Sequence, residues 1–197
     1  MSFHEYSGIT AGILAFSACP IYLSAILAGK TRPDRVTWWI LALVSGMIAA
    51  SYYASGARDT IWLPVGYTAS FLVIALFSLK YGEGPFRLHW LDRLSLIGSL
   101  TSAAVWWSLR SPVPALFMNI CTEFIGLIPT MSKAYRRPWT ENPTAWVIST
   151  VASVFNVLAI EQWTFIIASY PVYVLLTNTM IAYFIMQKKQ MELPFNS

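Results

Sequence analysis

Glu123 is the one clearly ionisable side chain inside the long apolar stretches of this sequence, in the run ALFMNICTEFIGLIP. At about 1.5 Å per helical residue, it lies roughly 16 Å from the start of its helix. That depth is near the midplane if the helix crosses a membrane, and an ionisable group there indicates a functional site. Glu123 could exchange protons during a transport cycle or bind a cationic solute. The structural alternative is a neutral acid that only bonds a neighbouring helix.

Three asparagines are the other strongly polar side chains at this depth. Asn119 stands one helical turn before Glu123 and on the same helix face. Asn156 and Asn178 lie in the next two apolar stretches. Their amide groups could bond a polar solute, so Glu123, Asn119, Asn156 and Asn178 are the predicted substrate-binding residues, and Glu123 is also the candidate for proton coupling.

The composition defines the class of protein that must position these groups. Of 197 residues, 56% are hydrophobic and only 11% charged, too few to cover a water-facing surface. Nearly uncharged stretches of about 20 residues predict membrane-spanning helices. Seven are predicted, at residues 8–28, 36–54, 60–80, 91–108, 112–132, 143–161 and 164–186. The sequence therefore predicts an all-α integral membrane protein that binds the lipid bilayer.

The loops predict an orientation. Eleven of the 13 basic residues fall after the first, third, fifth and seventh spans, and only Arg58 and Arg110 fall on the other side. The positive-inside rule then places the N-terminus outside and the C-terminus in the cytoplasm. The expected location is the cell (inner) membrane. Most tryptophans stand near span ends and are expected to form an interfacial belt. For Tyr52, Tyr67 and Tyr173, packing is favoured over a role in lining a pocket.

Two parts of the sequence echo each other. Shifting the chain by 107 residues pairs Asp34 with Glu141 and Trp39 with Trp146, and it also pairs Pro64 with Pro171. Residues 1–85 and 111–197 are therefore predicted to be two copies of a three-helix unit. Residues 86–110 would form a linker helix that lets both copies run the same way through the membrane. Internal duplication is typical of transporters, whose substrate site lies between the copies near the midplane.

This 3+1+3 parallel repeat, with a proline near the end of the first and fifth spans, resembles the SWEET and PQ-loop transporter superfamily. The segment from Ile128-Pro129 to Arg136-Arg137 is similar to the PQ-loop pattern of a proline followed by a basic cluster. Two positions depart from it: the glutamine after the proline is absent, and Val36 stands where a second-span proline is usual.

The resemblance implies roles for individual residues. Helix-interior prolines at Pro20, Pro129 and Pro143 would be hinges of a cytoplasmic gate, although Pro143 could instead simply begin its helix. Asn178 matches the asparagine that bonds the sugar in SWEETs. The matching positions of the first copy, Ala49 and Phe71, are apolar, which predicts a lopsided pocket and weakens the case for a sugar.

The leading hypothesis is a transporter that moves a small polar solute, sugar-like or amino-acid-like, by alternating access, either proton-coupled or by facilitation. The alternative is a receptor of the same fold that binds a ligand or peptide terminus without moving it. No span carries the paired carboxylates or His clusters of an enzyme, so no catalytic residue, metal or cofactor is expected. The net charge of +4 reflects the basic loops, so no nucleic-acid partner is expected, and a homo-oligomer remains open.

Overall fold

The structure is a computed structural model, and it describes residues 1–29, 33–82, 88, 90–138 and 142–191. These residues form seven α-helices with one short 3-10 turn, Asp59–Ile61, before the third. The helices are α1 Phe3–Leu27, α2 Arg35–Ala54, α3 Trp62–Tyr81, α4 Trp90–Leu109, α5 Pro112–Arg136, α6 Pro143–Leu158 and α7 Phe165–Met191. Each corresponds to one predicted span, with ends that differ by a few residues.

Five of the helices in the described residues are long and apolar enough to cross a membrane: α1, α2, α3 with its 3-10 turn, α5 and α7. Helices α4 and α6 do not meet this description. Helix α6 has 16 residues, and α4 carries Asp92 and Arg93 near its start and several serines along its length. The chain is thus an all-helical bundle of the kind found in membrane proteins.

Neighbouring helices are antiparallel because short connections join them. The described ends of α4 and α5, for example, are separated by only two residues. Helices α1, α3, α5 and α7 therefore all begin at one end of the bundle, here called the N-terminal end. They finish at the C-terminal end, where α2, α4 and α6 begin.

The two similar loops, one before α2 and one before α6, contain helix start signals. The Asp34 side chain caps α2 by accepting a hydrogen bond from the backbone N–H of Thr37, at 2.9 Å. The Asn142 side chain caps α6 in the same way, accepting from Thr144 at 3.0 Å. Glu141, which the 107-residue shift pairs with Asp34, lies outside the described residues. The cap of α6 is thus Asn142, one position after the residue that the shift pairs with Asp34.

Helices α1 and α3 pack closely and in parallel along a line of glycines. A Cβ atom at Gly12 would lie 2.6 Å from the backbone oxygen of Trp62, and one at Gly66 would lie 2.4 Å from that of Gly12. Further along, the Cys19 thiol is 3.8 Å from the Ser70 carbonyl oxygen. Small residues at such positions let two membrane helices approach at backbone distance.

Helices α1–α3 and α5–α7, the three before and the three after α4, are here called the first and the second group of helices. Helices α1 and α2 pack on α3, and α5 and α6 pack on α7. The groups meet where α1 contacts α6 and where α2 contacts α5. Helix α4 packs on α5 and α2, with Ser102 donating to Asn119 at 2.9 Å. Two small residues of α4, Ser99 and Ser102, are buried by this packing.

Candidate functional site

A cavity of about 630 Å³ lies between the two groups of helices. Its described lining comes from α1, α2, α3, α5, α6 and α7, together with the Asn142 cap, and no residue of α4 takes part. The volume is within the range of small-molecule sites, roughly 300–1,000 Å³. Because residues of both groups line it, the cavity lies where α1–α3 meet α5–α7.

The cavity reaches the surface at the C-terminal end of the described structure. Two of its lining residues, Asn142 and Thr144, are exposed at the C-terminal end. Towards the N-terminal end the bundle is filled by a buried cluster that includes Tyr52, Leu63, Leu116 and Tyr170. The arrangement thus has an open half and a closed half.

Tyr52 is the centre of the closed half. Its side chain is fully buried, and its hydroxyl donates to the Ile167 carbonyl oxygen at 2.5 Å and lies 2.8 Å from the Thr60 hydroxyl. The Tyr170 ring packs 5.6 Å from the Tyr52 ring, measured between centroids. Because Tyr52 belongs to α2 while Ile167 and Tyr170 belong to α7, these contacts fasten one group of helices to the other.

Two of the predicted substrate-binding residues, Glu123 and Asn178, line the cavity. The Asn178 amide nitrogen donates to the Ser153 hydroxyl at 2.8 Å, the Ser149 carbonyl at 3.2 Å and the Tyr67 hydroxyl at 3.3 Å. These bonds join α7 to α6 and α3. The donor side of the amide is therefore occupied within the protein, and only its oxygen is left to accept a bond from a solute.

The carboxyl group of Glu123 has unsatisfied bonding capacity. Its Oε2 atom is buried and has no hydrogen-bond partner among the described residues, and the same holds for the Tyr173 hydroxyl. The two groups nonetheless lie side by side, close enough for the Tyr173 hydroxyl to interact with the carboxyl group although no well-formed hydrogen bond joins them. A buried polar atom without a partner costs free energy, which makes this corner of the cavity ready to accept a polar or charged ligand.

The structure separates the other two predicted residues from this cavity. Asn119 is fully buried and accepts the Ser102 bond, so it faces α4, while its amide nitrogen has no partner among the described residues. Asn156 is also fully buried, and neither of its amide atoms has a partner there. The four predicted residues therefore do not form one cluster.

The prolines occupy two kinds of position. Pro20 and Pro129 lie inside α1 and α5, where each removes one backbone hydrogen bond, as a hinge requires. Pro143 is at the start of α6, directly after the Asn142 cap, where a proline removes no helical bond. Pro143 was expected either to act as a hinge or simply to begin its helix. The structure has it at the beginning of α6.

Six of the described lining residues are aromatic, and the sequence predicted none of them as a site residue. Trp38 and Trp146 were assigned to an interfacial belt, and packing was favoured for Tyr67 and Tyr173, yet all four line the cavity. The similarity between the two halves of the sequence contains the information that places Trp38 and Trp146. The capping residues, Asp34 and Asn142, are related by a shift of 108, and the same shift pairs Trp38, not Trp39, with Trp146.

Fold and site together define a helical bundle with membrane-protein character that holds a solute-sized cavity between two three-helix groups. No family model matches the chain, and neither a curated protein nor a solved structure matches it.

Asn178 and its neighbour Thr177 provide a matched pair for testing the amide. We expect Asn178→Ala to lower the free energy of unfolding by about 1–3 kcal/mol, because three bonds between helices are lost. Thr177 also lines the cavity, but its hydroxyl bonds only carbonyls of its own helix, at 3.0 and 3.1 Å. Thr177→Val should therefore cost well under half as much. Thermal unfolding of both variants in detergent measures this, and equal losses would contradict the bridging role.

Proposed function

We propose that this protein is a membrane transporter of the SWEET and PQ-loop kind, which moves a small solute by alternating access. Helices α1–α3 and α5–α7 are the two repeated units, and α4 is the linker between them. In this proposal all seven helices lie in the cell membrane, with the N-terminal end outside and the C-terminal end in the cytoplasm. The single observation that carries the proposal is the cavity between the two units, open at one end and closed at the other.

The packing of the helices supports the two-unit arrangement. If α5, α6 and α7 are equivalent to α1, α2 and α3, the contact of α1 with α6 becomes that of α5 with α2, and both contacts are present. In each unit the third helix also packs against the other two. Such an exchange is what two parallel copies related by an axis along the membrane normal produce.

The closed half supports movement between two states. The units are fastened there by few polar contacts: Tyr52 to Ile167, and His4 Nδ1 to the Leu158 carbonyl at 3.0 Å. Breaking them while closing the C-terminal end would turn the cavity towards the other side. Glu123 then faces the solute in the inward-open state, where it can serve in proton exchange or in binding a cation.

A labelling experiment that needs no knowledge of the solute tests alternating access. Ser149 lines the cavity, and cysteine is nearly isosteric with serine. In proteoliposomes carrying Ser149→Cys, with Cys19 and Cys121 changed to alanine, a membrane-impermeant thiol reagent should label position 149 from either side. Cross-linking cysteines at His4 and Leu158, which join the two units, should abolish labelling from the N-terminal side only.

A cross-link within one unit is the control. Phe117 and Phe165 belong to α5 and α7, and their rings stack with centroids 5.5 Å apart near the same end. Cysteines placed there and joined by a short bifunctional reagent should leave labelling from both sides intact. Labelling of position 149 from the C-terminal side alone, with or without cross-links, would identify a fixed pocket and favour the receptor.

A further inference from the structure

The cavity has an aromatic wall made of four side chains from the first unit: Tyr22, Trp38, Phe71 and Tyr67. All four line the cavity. Their rings form an unbroken series, with centroids 5.1 Å apart between Tyr22 and Trp38, 5.8 Å between Trp38 and Phe71, and 5.9 Å between Phe71 and Tyr67. The faces of aromatic rings carry negative charge density and attract cations, tryptophan most strongly.

The second unit supplies the only carboxylate among the described lining residues, Glu123. No lysine, arginine or histidine is among them. The charge of Glu123 therefore has no internal counter-ion in the described part of the cavity, and its Oε2 atom has no hydrogen bond there. A carboxylate in these surroundings is uncompensated until a cation arrives, so a positively charged ligand gains both the ion pair and the ring faces.

The polar groups of the cavity also limit what the ligand can carry. Glu123 offers acceptor oxygens, and the free side of the Asn178 amide is its oxygen, because the nitrogen is engaged by three protein groups. No described cationic side chain is present to pair with a carboxylate or phosphate on the ligand. Zwitterionic amino acids and anions are therefore disfavoured, because their acidic group would find no cationic partner among the described lining residues.

We propose that the cavity binds a monovalent organic cation, an amine or quaternary ammonium with an apolar body and no acidic group. Glu123 pairs with its charge, and the aromatic wall covers its body. This assignment rests on the proposed function for the statement that the cation is transported. Binding itself requires only the cavity.

Phenyltrimethylammonium and choline are suitable probes, and 3,3-dimethylbutan-1-ol is the neutral counterpart of choline with nearly the same shape. Binding to the detergent-purified protein can be followed by tryptophan fluorescence, since Trp38 and Trp146 line the cavity, and by thermal shift. The cations should bind, and the neutral alcohol should bind at least about tenfold more weakly. Glu123→Gln should weaken cation binding by about thirtyfold or more.

Adjacent tryptophans give a matched control for the wall. Trp38 lines the cavity, whereas Trp39 is 37% exposed and does not line it. Trp38→Leu should weaken binding of phenyltrimethylammonium by about threefold to thirtyfold, and Trp39→Leu should leave it unchanged. This pair tests the assignment even if Glu123→Gln fails to fold.

Four results would overturn the cation assignment: no binding of either cation, equal binding of the neutral alcohol, unchanged cation binding by a folded Glu123→Gln variant, or equal effects of the two tryptophan variants. Each leaves alternating access untouched, because labelling at position 149 uses no ligand. Conversely, cation binding together with labelling from one side only would retain the cation site and refute transport.

Discussion

Glu123→Gln is expected to reduce uptake of phenyltrimethylammonium into proteoliposomes to the level of protein-free liposomes, at every pH. Glutamine keeps the size and hydrogen bonding of the side chain and removes its charge. Because Glu123 is the only carboxylate among the described lining residues, no other group there can replace it. The loss should appear in both directions of transport, since the same group must bind the cation in the inward-open and outward-open states.

The unmodified protein should couple this uptake to protons. A proton and the organic cation compete for one carboxylate, so each crossing carries one or the other. The titratable groups that face Glu123 from α3 and α7 are the hydroxyls of Tyr67, Tyr170 and Tyr173. An acidic interior should therefore accelerate cation entry, and an acidic exterior should slow it.

Glu161→Gln is the control for this experiment, because it makes the same chemical change at an exposed position outside the cavity. It should leave uptake and its response to pH as they are. If Glu123→Gln removes only the pH response and retains exchange of the cation, Glu123 carries protons without binding the solute. If it alters neither, the side chain is a packed neutral acid, and the cation assignment fails with the coupling.

The seven helices of the described residues were predicted from long apolar stretches of the sequence, and five of them are long and apolar enough to cross a membrane. The sequence cannot show in the same way which face of each helix meets the cavity. In α1 both faces are apolar: Ile13 is 64% exposed, while Ala15 and Cys19 are buried towards α3 or the cavity. Lipid and packed protein both select apolar side chains, so periodicity does not distinguish them.

The tryptophans show how a small error in register changes an interpretation. When the two similar parts of the sequence are aligned with a shift of 107 residues, Trp39 pairs with Trp146. Both then resemble belt residues at helix ends. The helix caps require 108 at this point, which brings Trp38 and Trp146 to equivalent places in the cavity. In α3 and α7 the shift of 107 holds, since it pairs Phe71 with Asn178, and both line the cavity.

That second pairing concerns one half of the predicted asymmetry of the pocket, because Asn156, the other predicted polar group, does not line the cavity. Phe71 contributes a ring from the first unit where Asn178 contributes an amide from the second. Residue types at equivalent positions can be compared from the sequence without knowing how each helix is rotated. The Asn119 side chain could not be placed in this way, because its contact with Ser102 depends on where α4 docks.

Gly12→Ala is expected to lower the free energy of unfolding by about 1–3 kcal/mol, the usual cost of overpacking. The added Cβ would lie 2.6 Å from the Trp62 backbone oxygen and 3.0 Å from its carbonyl carbon. No side-chain rotation relieves a contact with backbone, so α1 must move away from α3. Both helices line the cavity, so binding of phenyltrimethylammonium should weaken as well.

Gly46→Ala in α2 separates this contact from the intrinsic effect of the substitution. Its Cβ would meet only the Thr68 methyl group, at an ordinary 3.6 Å. In both variants alanine favours the helix over glycine by roughly 0.5–1 kcal/mol, so Gly46→Ala should be neutral or stabilising. Thermal unfolding of the two variants in the same detergent gives the comparison. Equal melting temperatures would mean that α1 and α3 are not held at backbone distance, and the close parallel pairing at the centre of the first unit would be wrong.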